Sequence, residues 1–244
     1  MKIILGMHRS GTSLVAGLLS KSGLDFGNEN NFIKADKHNP YGYYESKEIV
    51  RFNNNLLNGI LGKIAYFFPR NLNKIKKRFE RLKGISETLE YNYKNKFVKD
   101  NRFCITLRYW PKEVEYVIFV IRSPNSISAS LNKRNFLTNS FSLKLWRYHI
   151  LHALINTKNF ETLFVSYENL IDPNKRLSEL SKISRFILKK NNILIEVSKM
   201  NKILLNDFKI EKYSKLTQKK LVLDRQIKFL WKILQKKLHN DSKR

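Results

Sequence analysis

The sequence predicts an α/β fold, a three-layer arrangement with a central parallel sheet flanked by helices. Three observations lead there. The chain opens on a short apolar run rich in β-branched residues, Lys2-Ile3-Ile4-Leu5. A second run, Val117-Ile118-Phe119-Val120-Ile121, is apolar at every position, as a central strand buried on both faces should be. Apolar residues at helical spacing follow each run. At 244 residues the chain can bury one sizeable core, so 1–244 reads as a single domain. Its motifs fall within 1–173, and 174–244 reads as a helical, basic C-terminal region.

The first element is the one on which the others depend. After Leu5 comes the turn Gly6-Met7-His8-Arg9-Ser10-Gly11-Thr12-Ser13, and then Leu14-Val15-Ala16-Gly17-Leu18-Leu19, apolar at helical spacing. Strand, tight loop and helix in that order place unsatisfied backbone N–H groups at the positive end of a helix, a site for phosphate or sulfate. Two glycines with four residues between them, followed by Thr12-Ser13, nearly match the phosphate loop G-x-x-x-x-G-K-[ST], which makes the fold P-loop type. The lysine of that pattern is absent. Thr12 stands in its place and the cation has moved into the loop as Arg9, so a nucleotide phosphate is expected here without a Mg²⁺-centred hydrolytic site.

Next, Ser22-Gly23-Leu24 reads as a helix stop, and Gly27 to Tyr43 as a long polar loop whose length is that of a functional loop. It leads to Glu45, which precedes a helical pattern through Ile49, Phe52, Asn53, Leu56, Leu57 and Ile60. Glu45 fits two roles, a general base or a first-turn acid favoured by the helix dipole. Lys63 to Lys83 is strongly basic, either a solvated helical face or a track for an acidic acceptor. Lys99 lies just before Phe103-Cys104-Ile105-Thr106-Leu107, a short strand candidate. In an open parallel sheet the strand ends converge on a ligand crevice, so Lys99 is in position to reach the phosphate loop. Arg122 ends the Val117–Ile121 strand, and Ser130 and Arg134 share one face of the helix that follows. Together these read either as a second anion site, since arginine offers a planar fork to phosphate oxygens, or as a turn followed by an ordinary amphipathic helix. A helical pattern over Phe141 to Asn156 carries His149 and His152 as packing or surface residues. Another strand spans Thr162 to Glu168. Gln226 to Leu238 is amphipathic, with Ile227, Leu230, Trp231, Leu234 and Leu238 on one face, and reads as a helix docked on the core rather than lying on a membrane.

Lys and Arg number 47 against 20 Asp and Glu, a formal net charge of +27 that calls for an anionic partner: nucleotide, acidic glycan, nucleic acid or membrane surface. The single cysteine, Cys104, excludes an internal disulfide framework and a four-cysteine metal site, and fits a reducing cytoplasm. No signal-peptide pattern precedes the first strand, and no apolar run approaches a membrane span. The expectation is a cytoplasmic protein whose charge allows peripheral membrane contact.

Arg9-Ser10-Gly11-Thr12-Ser13, the set Arg122, Ser130 and Arg134, and Val165-Ser166-Tyr167-Glu168-Asn169-Leu170 with Asp172-Pro173 together resemble the sulfotransferases that use 3′-phosphoadenosine-5′-phosphosulfate (PAPS). The resemblance runs from about Lys2 to Pro173. It implies that the first motif is a 5′-phosphosulfate loop, that Arg122 and Ser130 hold the 3′-phosphate, and that Arg134 and Tyr167 also contact the nucleotide, as in tyrosine-protein sulfotransferases. It further implies Glu45 as catalytic base, Lys99 as the lysine of a K-D-P segment, Arg9 as stabiliser of the leaving group, and no metal. His8 stands where many relatives have proline, and Asn101 where the K-D-P segment has its proline. The implied reaction moves a sulfuryl group from PAPS to a hydroxyl of a carbohydrate or glycolipid, with no specific nucleic acid as partner.

The residues also leave two rivals: a P-loop nucleotide kinase or NTPase, and a basic nucleic-acid-binding protein. The missing lysine at Thr12 and the lack of a Mg²⁺ carboxylate after a strand speak against the first.

Overall fold

Strands β1 (Lys2–Leu5), β2 (Phe97–Lys99), β3 (Tyr116–Ile121) and β4 (Thr162–Ser166) form one fully parallel sheet in the order β2-β1-β3-β4. The computed structural model describes residues 1–37, 39–58, 71–110, 114–210 and 224–242. Ile60 and Lys63, named above, lie outside the described residues, as does the rest of the basic run up to residue 70.

The helices follow the sequence pattern. They are α1 (Thr12–Lys21), α2 (Lys47–Asn58), α3 (Leu72–Asn92), α4 (Phe103–Thr106), α5 (Pro124–Asn135), α6 (Asn139–Asn156), α7 (Tyr167–Ile171), α8 (Pro173–Asn191), α9 (Val197–Lys202) and α10 (Arg225–Ser242). Their starts carry the expected chemistry. Ser123, Thr138, Ser166 and Asp172 each cap a helix through the side chain, and Pro124 and Pro173 occupy first-turn positions where no N–H is needed.

Alternation along the strands sorts the core into two layers. Ile3, Leu5, Val117, Phe119, Ile121 and Phe164 face the side covered by α2 to α6 and α10. Ile4, Ile118, Val120, Leu163 and Val165 face α1, α8 and α9. Every residue of β1 and β3 is buried, which is why those runs carry no polar alternation. Helix α10 docks as its apolar stripe requires, with Ile227, Leu230 and Leu234 buried.

The outer edge of β4 is closed by side chains. Phe164 donates its N–H to Asp241 Oδ2 of α10 at 2.8 Å and accepts from Lys182 Nζ of α8 at 2.8 Å, while Glu179 Oε1 accepts from the Ser166 N–H at 2.8 Å. These contacts occupy backbone groups that would otherwise invite edge pairing.

One expected strand is a helix. Phe103–Leu107 forms α4 and the start of a 3-10 turn, and the strand lies just before it, at Phe97–Lys99. All five residues are buried, and a short apolar run satisfies burial equally well in either form. Asp100 decides between them: its carboxylate accepts from the Arg102 N–H at 2.9 Å and turns the chain out of the sheet. Asn156 of α6 then donates to the carbonyls of Cys104 and Ile105 at 2.9 and 3.1 Å.

Candidate active site

Parallel strands deliver their C-terminal ends to one side of the sheet. The phosphate loop follows β1, Lys99 ends β2, Arg122 follows β3 and Tyr167 follows β4. These ends meet at a cavity of about 490 Å³ whose wall includes Arg9, Gly11, Thr12, Ser13, Glu45, Lys99, Arg122, Arg134 and Tyr167.

The loop is shaped for close approach. Gly11 precedes α1 at φ +93°, and a Cβ there would lie 2.2 Å from Tyr167 Cδ2, so the Tyr167 ring rests on the glycine. No side chain caps α1 and its first turn holds no acid, which leaves its positive end facing the cavity. Thr12 Oγ1 donates to Asn101 Oδ1 at 2.7 Å. At the position where the resembled motif has proline, this chain thus gains a side-chain tie to its own phosphate loop.

The two sets that the sequence separates, Arg9 on one side and Arg122, Ser130 and Arg134 on the other, share this one cavity region. Arg9 Nε donates to Ser130 Oγ at 2.8 Å, and Arg122 Nη1 donates to the Arg9 carbonyl at 2.8 Å. The Arg122 guanidinium lies 4.2 Å from the Tyr167 ring centre, a cation–π stack. Arg134 Nη2 donates to Tyr43 Oη at 3.3 Å, and Tyr43 in turn donates to the Asp36 carboxylate at 2.9 Å. Burial, then Arg134 and Arg122, lower the affinity of Arg9 for its proton. Three guanidinium groups gathered in this way favour an anion between them. Ser10 and Ser130 are not part of the cavity wall: Ser10 is buried within the loop, and Ser130 acts on Arg9.

The same cavity wall carries a buried charge network. Lys99 Nζ donates to Glu45 Oε1 and, at 3.3 Å, to Ser13 Oγ. The two partners of the ion pair are 1% and 8% exposed at the side chain. Arg102 Nη1 lies 3.8 Å from Glu45 Oε2 and 2.8 Å from Asp100 Oδ1, and Asn53 donates to Asp100 Oδ2 at 2.8 Å. Glu45 precedes α2 and is committed to this pair, beyond any dipole role. His8, also in the wall, is held well below the usual imidazole pKa by burial, then by His149 and the neighbouring arginines. Its ring is 5.7 Å from that of His149, which α6 buries completely. Among the described residues, no three His, Cys, Asp or Glu side chains gather as a metal site requires.

No protein-family profile matches the chain, and no curated protein matches it in sequence. A solved structure does. The sulfotransferase domain of the olefin synthase of Synechococcus PCC 7002 superposes with a TM-score of 0.54 at 15% identity, over 96% of this chain and 94% of that domain. The chain has the fold of a sulfotransferase domain. Within that fold, the wall also contains Asp36, Asn39, Tyr41 and Tyr43, from the long loop whose length the sequence reads as functional, and Asn101, Arg102 and Phe208, which the sequence does not mark as site residues. For Arg102 adjacency offered the signal, since it lies three residues beyond Lys99.

Proposed function

We propose that the protein is a PAPS-dependent sulfotransferase acting on a hydroxyl of a carbohydrate or glycolipid. The observation that carries this reading is the gathering, in the wall of one strand-end cavity, of three guanidinium groups and a buried carboxylate–ammonium pair. An orphaned polar atom in the wall supports an anionic ligand: Arg122 Nε is buried with no hydrogen-bond partner among the described residues.

PAPS supplies a sulfuryl group on a phosphate leaving group. Glu45 takes the proton of the acceptor hydroxyl as that oxygen bonds to sulfur and the bond from sulfur to the 5′-phosphate oxygen breaks. Lys99 and Arg9 face the charge that builds on the departing oxygen, giving a sulfate ester and 3′-phosphoadenosine-5′-phosphate (PAP). Arg122, Arg134 and Tyr167 hold the nucleotide. The acceptor class rests on the part of the wall where Tyr41, Tyr43 and Asn39 offer flat rings and an amide of the kind that suits sugar faces and hydroxyls. A neighbouring hollow of about 440 Å³ shares Ile33, Tyr41 and Tyr43 with this cavity and has room for more of an extended acceptor.

Calorimetric titration with PAP, ATP and AMP tests the donor. Strong preference for PAP, lost in Arg122→Ala, is expected. Preference for ATP would favour a kinase, and salt-labile binding indifferent to Arg122→Ala would favour a nucleic-acid binder.

A further inference from the structure

A second hollow lies away from the strand ends, between α6 and α10. It measures about 680 Å³ and is walled by apolar side chains, Phe141, Tyr148, Leu151 and Phe229 among them. Phe229 is 65% exposed and Leu151 44%. Neither serves the core: α10 docks through Ile227, Leu230 and Leu234 and turns Phe229 the other way. Cations border the apolar floor. Lys144 and Arg225 are part of the wall, as is Arg147, which donates to Gln226 Oε1 across the two helices. Among the described residues no acid is part of the wall. The acid nearest in sequence, Asp224, is engaged in accepting the Ile227 N–H at 2.8 Å. Along the same helix Lys228, Lys232 and Lys236 are exposed.

Large apolar side chains left in water among cations, at a groove of this size, mark an interaction surface. From the charge pattern we infer that α6 and α10 dock on an anionic membrane, with Phe229 and Leu151 entering the headgroup boundary and Lys144, Arg147 and Arg225 meeting lipid phosphates. An aromatic side chain projecting from a lysine-rich helix face is the chemistry of interfacial helices. The lysines spread along the exposed side of α10 match a plane of negative charge better than the single ridge an acidic protein helix would bring. Among the described residues no helix is long and apolar enough to cross a membrane, so the contact is peripheral.

The test is co-sedimentation of the full chain with vesicles of pure phosphatidylcholine and with equimolar phosphatidylcholine and phosphatidylglycerol. Partition onto the anionic vesicles is expected. The pair Phe229→Ser and Leu151→Ser, which leaves net charge unchanged, should weaken it about tenfold or more. Lys144→Gln and Arg225→Gln should each weaken it about fivefold. Phe229→Trp supplies a local reporter whose emission should shift to the blue only with anionic vesicles. Equal binding by wild type and the serine pair would mean that bulk charge alone attracts the protein, and would overturn the inference. So would an unshifted Phe229→Trp emission, or a wild type that ignores vesicles but dimerises through these helices. None of these readouts depends on the PAP titration, so the two readings fail separately.

Discussion

Gly11→Ala is the perturbation that most directly tests how the phosphate loop is built. Two costs add. The backbone holds φ +93° at this position, a conformation that an L-residue adopts only at about 1–3 kcal/mol. The new Cβ would also lie 2.2 Å from Tyr167 Cδ2 and 2.9 Å from Cε2. The ring cannot retreat freely, because it is 8% exposed and lies beneath the Arg122 guanidinium. Forcing it aside is overpacking, about 1–3 kcal/mol more. Tyr167→Ala removes the obstacle and leaves the backbone cost, so Gly11→Ala should be milder in that background by about 1–3 kcal/mol. Urea denaturation of wild type, both single variants and the double variant gives the cycle. PAP titration of Gly11→Ala gives a second readout, with weakened affinity expected once the Tyr167–Arg122 stack is displaced. Equal costs of Gly11→Ala in both backgrounds would refute the packing of Tyr167 on the loop.

Glu45→Gln should lower transfer about 10²–10⁴-fold, as loss of a general base does, with PAP affinity nearly intact. It should also destabilise the ligand-free protein by about 3–5 kcal/mol, since Lys99 stays buried without its carboxylate; thermal unfolding reads this loss. Asp241→Ala strands the Phe164 N–H at the edge of β4 and should cost about 1–3 kcal/mol in urea. Phe136 closes α5 at φ +55° and is 90% exposed, so Phe136→Gly should stabilise by about 0.5–1 kcal/mol, left-handed strain relieved less the extra freedom of the unfolded chain. Burial pushes the His149 imidazole down to about 4, so the folded state keeps it neutral where the unfolded state takes up a proton. Its contribution, about 3 kcal/mol, is therefore complete above the ordinary histidine pKa near 6.5 and lost as pH falls from there towards 4. His149→Phe should flatten the stability–pH curve in that window relative to wild type, and an unchanged difference between pH 7 and pH 5 would count against the assignment.

How much of this was legible in the sequence depends on the range of the interaction. The β1–loop–α1 unit, the buried β3 and the docked α10 were readable because each is fixed by a local period or a local glycine. Phe103–Leu107 was misread because five consecutive buried apolar residues carry no period, and the choice of helix lies in the Asp100 turn and in Asn156, far along the chain. Lys99 and Arg122 were legible as candidates because strand ends in a parallel sheet face one crevice, and Arg134 because it shares a helix face with Ser130 just beyond such an end. Their partners were not. That Ser130 serves Arg9, or that Tyr43 bridges Arg134 to Asp36, depends on side chains about 90 to 120 residues apart meeting in space.

Two non-glycine residues hold positive φ here, Arg9 in the cavity wall at +70° and Tyr44, in the wall of the neighbouring hollow, at +55°. Strain of this kind costs about 1–3 kcal/mol per residue and persists only where the surroundings over-determine it. Both residues are so fixed. Arg9 is gripped at its side chain by Ser130 and at its carbonyl by Arg122. Tyr44 is held against the Phe32 ring, 6.3 Å away, and over Gly17, where a Cβ would come within 2.6 Å of it. Each is at, or one residue from, a group assigned a part in the proposed transfer, since Glu45 follows Tyr44 directly. Glycine at either position would relieve the strain and release the geometry with it. The fold thus gives up stability where the charges must already be in place before a substrate arrives, which is the condition under which fixed charges stabilise a transition state without reorganising.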